Sequence, residues 1–233
     1  EKSWKKRLIS GLFVMNNTGS ISNRAASGKK PRLVLFDFDG TLTSGDSFGA
    51  FLWYSVSPGS LISGCFRLLF QLPGLLFALP KIRAERAKAA ILHIYFGGKT
   101  RQALQEMGLR FYQNRLKTML RPQLLETLRQ YRDAGDTVVL VSASVDIWLQ
   151  AFCDIERIAL ICTMLAYEQD VFRGAFATPN CNREEKARRI REAYDLHSFS
   201  TIIAYGNSSG DKAMFDLAQE VWFCSSNGLE KVV

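Results

Sequence analysis

Four short apolar runs, rich in β-branched residues, recur along the chain and predict buried parallel strands at residues 33–36, 137–141, 201–204 and 221–223. Helical patterns occupy residues 122–134, before the second run, and 183–194, before the third. Strands that alternate with helices indicate an α/β fold with a doubly wound, Rossmann-like parallel sheet. Ligands of such sheets bind beyond the carboxyl ends of the strands, and polar residues follow the first three runs.

The first two strands are separated by an insertion far longer than an ordinary crossover. We therefore expect a core formed by residues 31–43 and 121–233, and an inserted, apolar, α-helical cap at residues 44–120. The later part of the cap predicts helices at residues 82–94 and 100–120. In the core, a β-hairpin is expected at roughly residues 163–177.

Residues 61–80 of the predicted cap are strongly apolar, and a bilayer-spanning helix needs about 20 such residues. Arg67 interrupts the run, at a cost of about 2.5–3.5 kcal/mol for a central arginine, and so do Gln71, Pro73 and Pro80. We expect a membrane-dipping helical hairpin or an apolar face of the cap rather than a full span. Four cations come after this run: Lys81, Arg83, Arg86 and Lys88. They are typical either of a solvated helix face or of a segment that rests on anionic lipid.

The net charge of the 233-residue chain is +8, but residues 1–32 alone contribute +7, because they hold eight cations and one acid. The remaining chain is therefore close to neutral. This distribution argues against a nucleic-acid partner and favours an anionic membrane surface. We expect residues 1–30 to be a basic leader and linker, with a tag remnant and an amphipathic membrane anchor as equal alternatives.

The cysteines are odd in number and scattered, and they form no C-x-x-C pair. This pattern favours reduced, buried thiols in the cytoplasm over a disulfide framework. Together with the basic leader and the apolar cap, it predicts a cytoplasmic protein that associates peripherally or monotopically with the inner membrane. The residues concerned are Cys65, Cys153, Cys162, Cys181 and Cys224.

Asp37 and Asp39 follow the first predicted strand and are separated by one residue. A carboxylate can attack the phosphorus of a phosphate monoester and form an acyl-phosphate that water then hydrolyses. A second acid can protonate the leaving alkoxide and afterwards activate the water. Gly40 allows the chain to turn sharply, which would bring Asp39 above Asp37.

Further polar residues follow the other strands in an order that suits the same chemistry. Ser142 offers a hydroxyl and a backbone N–H to a phosphoryl oxygen, and Lys186, at a helix start, offers a positive charge to phosphate. Asn207 and Asp211 offer oxygen ligands to a hard cation such as Mg²⁺. Together with Asp37 and Asp39, these four positions predict a phosphoryl-transfer site.

The chain resembles the haloacid dehalogenase-like hydrolase superfamily in four segments: DFDGTLT (37–43), VVLVSAS (138–144), NREEKARR (182–189) and YGNSSGDKAMF (205–215). The resemblance implies Asp37 as nucleophile and Asp39 as acid/base. The second aspartate also distinguishes phosphatases from dehalogenases, which lack it. The resemblance further implies a phosphate-binding set and a Mg²⁺-binding set, namely Thr41, Ser142, Ala143 and Lys186 for phosphate, and Asp37, the Asp39 carbonyl, Asn207 and Asp211 for the metal.

One position departs from the family pattern. The last motif usually begins Gly-Asp, whereas this chain has Gly206 and Asn207. An asparagine oxygen still ligates Mg²⁺ but removes one negative charge, so we expect weaker metal binding and a larger role for Asp211.

The insertion places the chain in the branch with a helical cap that contains phosphoserine phosphatase. Within it, the chain looks most like the bacterial phosphatidylglycerophosphatase C type. The resemblance is carried by GDSFGAFL (45–52), YFGG (95–98), the proline-broken apolar segment, and a cysteine five residues before Lys186. This resemblance implies a phosphate-ester substrate on a phospholipid head group, with Asp46 and Phe48 as candidate substrate contacts of the cap. Two alternatives stay open: a soluble phosphatase acting on a small metabolite, and a non-catalytic, membrane-associated module.

Overall fold

The computed structural model describes the chain at residues 30–64, 80–225 and 228–232, and its side chains there except at residues 80–84. The strands are β1 (Leu33–Phe36), β2 (Thr137–Val145), β3 (Ala159–Thr163), β4 (Leu165–Glu168), β5 (Val171–Phe176), β6 (Ile202–Gly206), β7 (Glu220–Ser225) and β8 (Gly228–Lys231). The helices are α1 (Ser47–Ser55), α2 (Pro80–Phe96), α3 (Arg101–Phe111), α4 (Pro122–Ala134), α5 (Asp146–Glu156), α6 (Glu184–Ala193) and α7 (Lys212–Phe215). Residues 58–64 are also helical, and α3 continues through a wider turn, Tyr112–Leu116, into Lys117–Met119.

The main sheet has the strand order β3-β2-β1-β6-β7-β8. Its pairs are parallel except for β7 with β8, which are antiparallel. Strands β4 and β5 form a separate antiparallel hairpin, which confirms the one predicted near residues 163–177. The α/β fold class with a doubly wound, mostly parallel sheet is confirmed.

Both faces of the sheet are covered, because alternate residues of each strand point to opposite sides. Val34 and Phe36 of β1 belong to the larger apolar cluster, which packs against α4, α5 and the helices of the insertion. Leu33 and Leu35 belong to a smaller cluster, which packs against α6 and α7. The apolar runs in the sequence therefore correspond to strands that are buried on two sides.

The predicted strands are found with small shifts, but two strands of the sheet are missing from the prediction. The second predicted strand, residues 137–141, continues to Val145. Strand β3 was not predicted, although residues 158–162 form an apolar run, and β8 was not because all four of its residues are exposed. Both are edge strands, which burial patterns indicate poorly.

The insertion leaves and rejoins the core at neighbouring points. Thr43 pairs with Leu120 in an isolated antiparallel bridge, and the N–H of Arg121 donates to the carbonyl of Leu42 at 2.8 Å. The two helices predicted in the later part of the insertion are found as α2 and α3. The assignment of residues 44–120 to a cap stays a prediction, since the described residues from Pro31 onward form one compact unit.

The four cysteines within the described ranges, Cys153, Cys162, Cys181 and Cys224, are free and buried, as expected. Among the helices in these ranges, none combines the length and the apolarity that a bilayer crossing requires. The basic leader and most of the apolar run at 61–80 lie outside the described residues, and so does Cys65.

Candidate active site

Asp37 lies at the carboxyl end of the central strand, β1. Its N–H donates to the carbonyl oxygen of Tyr205 at 2.9 Å, and its residue is only 7% exposed. One carboxylate oxygen, Oδ1, accepts a 2.6 Å hydrogen bond from Nζ of Lys186. The other, Oδ2, accepts one of 3.0 Å from the hydroxyl of Thr41. These two donors fix the direction in which the carboxylate faces.

The chain turns immediately after Asp37, as Gly40 led us to expect. Residues Phe38–Leu42 form one wide helical turn instead of continuing the strand. Gly40 has a φ of +79°, a conformation that favours glycine. A Cβ at this position would also clash with the side-chain amide of Asn207. The glycine therefore allows both the turn and the close approach of Asn207 to the backbone beyond Asp37.

Asp39 is held on both carboxylate oxygens by residues far from it in the sequence. Oδ1 accepts a 2.6 Å hydrogen bond from the N–H of Ser47, the first residue of α1. Oδ2 accepts one of 2.5 Å from the hydroxyl of Ser144. Burial raises the pKa of Asp39, although the hydrogen bonds from Ser144 and Ser47 oppose the rise. A raised pKa suits a carboxyl group that carries a proton to a leaving group.

The predicted phosphate-binding residues Ser142 and Ala143 lie within β2, whereas the sequence pattern predicts them after the strand. The strand was predicted too short because its polar end breaks the apolar run. The pairing of β2 with β3 shifts between Ser142 and Val145, so Ala143 and Ser144 form a bulge. The N–H of Ser144 donates to the hydroxyl oxygen of Ser142 at 3.1 Å. The bulge turns the Ser144 hydroxyl towards Asp39.

Lys186 lies at the start of α6 and is 2% exposed. Its ammonium donates to Oδ1 of Asp37 at 2.6 Å, to Oδ1 of Asp211 at 2.7 Å and to the carbonyl of Val141 at 2.8 Å. Burial opposes its charge, but the two carboxylates outweigh that effect and raise the pKa of Lys186. Burial raises the pKa of Asp37 to about 6, while the charge of Lys186 opposes this rise. The lysine thus joins the end of β1, strand β2 and the loop after β6 in one buried charge cluster.

Asp211 closes the loop that follows β6. Besides Lys186, which contacts its Oδ1, it accepts hydrogen bonds on Oδ2 from the N–H of Asn207 and from the N–H and hydroxyl of Ser208, all within 3.1 Å. The residue is 1% exposed. The structure therefore gives its carboxylate a positioning role in the loop, and direct contact with a metal stays a prediction.

The oxygen donors at this edge fit Mg²⁺. In the described part of the chain, no three His, Cys, Asp or Glu side chains form a group that could hold a metal by themselves. Mg²⁺ prefers octahedral oxygen coordination and usually keeps several waters, so a few protein oxygens suffice. The carboxylate of Asp37, the carbonyl of Asp39 and the amide oxygen of Asn207 would supply them. The Asn207 amide lies against Gly40, with its nitrogen nearer to that residue than its oxygen. The metal itself stays a prediction.

The two candidate cap contacts occupy the start of α1. The carboxylate of Asp46 caps this helix by accepting the N–H of Phe48 at 3.1 Å and of Gly49 at 2.9 Å. The ring of Phe48 lies beside Trp148, with 6.3 Å between centroids. Helix capping explains Asp46 without a substrate, so its predicted substrate contact needs a direct test.

Two residues of the site were not identified from the sequence. Ser144 was part of a quoted motif, but its contact with Asp39 depends on the bulge, which leaves no local signal. Lys88 counted only as one of several cations on a helix face. Its ammonium reaches from α2 to the carbonyl of Ala143 at 2.8 Å and to Oδ1 of Asn180 at 3.3 Å. Burial lowers the pKa of Lys88, and the carboxylates of Asp39 and Asp46 oppose that effect.

Comparison with known proteins gives one family and several relatives. Residues 34–216 match the haloacid dehalogenase-like hydrolase family. Protein CicA of Caulobacter vibrioides is 33% identical over 222 residues, which cover 94% of each chain. A crystal structure of a protein with unknown function from Bordetella pertussis is similar at a TM-score of 0.68 and 21% identity, covering 83% of this chain and 89% of that one. A substrate-bound phosphoserine phosphatase has the same fold at a TM-score of 0.56 and 14% identity, covering 84% and 85%.

Proposed function

The chain belongs to the haloacid dehalogenase-like hydrolase family, and from that premise we propose that it is a Mg²⁺-dependent phosphatase that forms an aspartyl-phosphate on Asp37. The observation that carries this proposal is the arrangement at the end of β1. Asp37 is buried and oriented by Lys186 and Thr41, and a second carboxyl group, Asp39, stands two residues on. A hydrolase that cleaves carbon–halogen bonds has no use for the second acid, whereas phosphoryl transfer does.

The reaction follows from the roles of these groups. A carboxylate oxygen of Asp37 bonds to phosphorus as the ester P–O bond breaks, and Asp39 gives its proton to the departing alkoxide. Asp39 then takes a proton from a water molecule, which attacks phosphorus and releases phosphate and Asp37. Lys186 and the donors of Thr41, Ser142 and Ala143 reduce the repulsion between the two anions. Mg²⁺, when bound, would neutralise charge on the phosphoryl oxygens.

We propose a phospholipid head-group phosphate, such as that of phosphatidylglycerophosphate, as the substrate. The apolar composition of residues 61–80 supports this, because acyl chains would remain in the bilayer while the head group reaches the site. Trp53 and Ile62, in the same insertion, are 76% and 62% exposed, as expected for side chains that contact lipid. The corresponding partner is an anionic membrane surface, on the cytoplasmic side of the inner membrane.

A soluble phosphatase that acts on a small metabolite is the second candidate. The half-buried ammonium of Lys88 favours it, because a cation close to Asp39 suits a small anionic alcohol as leaving group. A non-catalytic module is the weakest candidate, since the buried cluster of Asp37, Lys186 and Asp211 carries the desolvation cost of three charges.

One assay separates these candidates. The protein, with Mg²⁺, is offered phosphatidylglycerophosphate in mixed micelles and phosphoserine in buffer, with Asp37→Asn as the blank. We expect release of phosphate from the lipid and none from the blank. Turnover of phosphoserine alone would remove the lipid substrate, and no turnover of any phosphate ester would contradict the enzyme assignment. Sedimentation with anionic liposomes, with and without residues 1–30, tests the membrane partner.

A further inference from the structure

The acid/base candidate Asp39 is fixed by two donors of different chemical kinds. The backbone N–H of Ser47 can only donate, so Oδ1 of Asp39 acts as an acceptor towards it in either protonation state. The hydroxyl of Ser144 can donate or accept, depending on how its hydrogen is turned. A proton on Asp39 is therefore best accommodated on Oδ2, the oxygen that Ser144 contacts.

Ser144 is itself held in place from two directions. Its N–H donates to the hydroxyl of Ser142, so it moves with the candidate phosphate-binding residue. The carbonyl of the preceding residue, Ala143, accepts a 2.9 Å hydrogen bond from the hydroxyl of Thr163 and a 2.8 Å bond from Nζ of Lys88. Thr163 belongs to the core strand β3, whereas Lys88 belongs to helix α2 of the insertion.

The contact made by Lys88 couples the insertion to the bulge. Its ammonium lies 6.0 Å from the centre of the Phe48 ring and also donates to Oδ1 of Asn180. The Thr163 hydroxyl contacts the same Asn180 oxygen at 3.2 Å. A shift of α2 relative to the sheet would therefore displace the Lys88 ammonium, which donates to the Ala143 carbonyl. The same peptide group contains the N–H of Ser144.

We propose that Ser144 is a positioning residue for the proton transfer by Asp39, and that Lys88 makes this positioning depend on the insertion. The inference rests on the proposed phosphatase function. Ser144 holds Oδ2 in line with the leaving oxygen during aspartyl-phosphate formation, when the ester P–O bond breaks and the proton moves from Asp39 to the alkoxide. Lys88 keeps the bulge in the conformation that presents the Ser144 hydroxyl.

The dependence on the leaving group tests this role. An alkyl phosphate needs a proton on its departing alkoxide, whereas p-nitrophenyl phosphate releases a stable phenolate and needs little help from an acid. We measure kcat/KM, which includes the steps up to loss of the leaving group, for β-glycerophosphate and for p-nitrophenyl phosphate. For Ser144→Ala we expect a fall of about 10–100-fold with the alkyl ester and less than about threefold with the aryl ester.

Conservative variants and matched controls complete the test. Ser144→Thr keeps the hydroxyl and should restore most of the activity with the alkyl ester. Lys88→Met should show the same selective loss at about 3–10-fold, and Lys88→Arg should recover part of it. Ser198→Ala and Lys117→Met, which change exposed residues away from the site, should leave both esters unaffected.

The outcomes distinguish this inference from the function on which it rests. If the unaltered protein hydrolyses neither ester, the proposed phosphatase function fails. If it hydrolyses both and Ser144→Ala lowers them equally, or lowers neither, the positioning role is overturned. If Ser144→Ala is selective but Lys88→Met is not, the coupling to the insertion is overturned.

Discussion

The nucleophile side and the acid side of the candidate site are built in different ways. Asp37 is held by Lys186 and Thr41, which both belong to the predicted core. Asp39 is held between Ser47, the first residue of a helix in the insertion, and Ser144, which lies in a bulge. The nucleophile therefore depends on groups of the core, whereas the acid depends also on how the insertion packs against the core. Variants on the two sides should fail differently.

The largest effect is expected at the nucleophile. Asp37→Asn removes the attacking carboxylate oxygen but keeps its shape, so hydrolysis of any phosphate ester should fall about 10⁴-fold. Asp154→Asn, a change of an exposed aspartate, should leave the activity unaltered. A phosphate assay at saturating Mg²⁺ measures both. Retention of more than about a tenth of the activity by Asp37→Asn would exclude it as the nucleophile.

The buried ammonium of Lys186, also on the nucleophile side, should have a large effect on the stability of the fold. Lys186→Met leaves the carboxylates of Asp37 and Asp211 buried without their shared cation, so the free energy of unfolding should fall by about 3–5 kcal/mol. Lys212→Met breaks an exposed pair with Asp216 and should cost less than about 0.5 kcal/mol. Urea denaturation at neutral pH compares the two. Equal losses would mean that the buried cluster contributes no more to the free energy of unfolding than an exposed ion pair does.

This contrast also explains how far the sequence predicts the molecule. The parallel strands and the cluster of Asp37, Lys186 and Asp211 could be predicted, because apolar runs specify buried strands and the carboxyl ends of parallel strands meet at one edge. Ser144 could not be assigned, because a bulge arises from a register shift between two strands that are distant in sequence.

The roles of residues in the insertion were also difficult to assign from the sequence. Lys88 lies among several cations on α2, and only the packing of that helix against the core distinguishes it from an exposed cation such as Arg86. Asp46 was predicted as a substrate contact from the resemblance of residues 45–52, and its capping hydrogen bonds become visible only with the start of α1. Sequence patterns thus predict positions at strand ends better than contacts between separate segments.

A substitution at the predicted Mg²⁺ site should change the affinity for the ion, and this effect should be smaller than the two effects on the nucleophile side. Asn207→Asp adds a negative charge beside Gly40, so the Mg²⁺ concentration for half-maximal activity should fall about tenfold. Without Mg²⁺, repulsion from Asp37 and Asp211 should lower the thermal unfolding midpoint, and added Mg²⁺ should restore it. Gln113→Glu, which adds a negative charge on the exposed face of the insertion, is the control. An unchanged Mg²⁺ dependence would place Asn207 outside the metal site.

The smallest effect is expected at Asp46, where capping and substrate binding make opposite predictions. Asp46→Ala removes the hydrogen bonds to the N–H groups of Phe48 and Gly49, so it should lower the free energy of unfolding by about 1 kcal/mol. Asp46→Ser keeps a capping oxygen without a charge and should recover most of that stability. If Asp46 only caps α1, the serine variant also retains its KM within about threefold, since no charge on the substrate is left unpaired. A raised KM in a serine variant of normal stability would instead assign the carboxylate to substrate binding. The acid side would then contain a group that contacts the leaving alcohol directly.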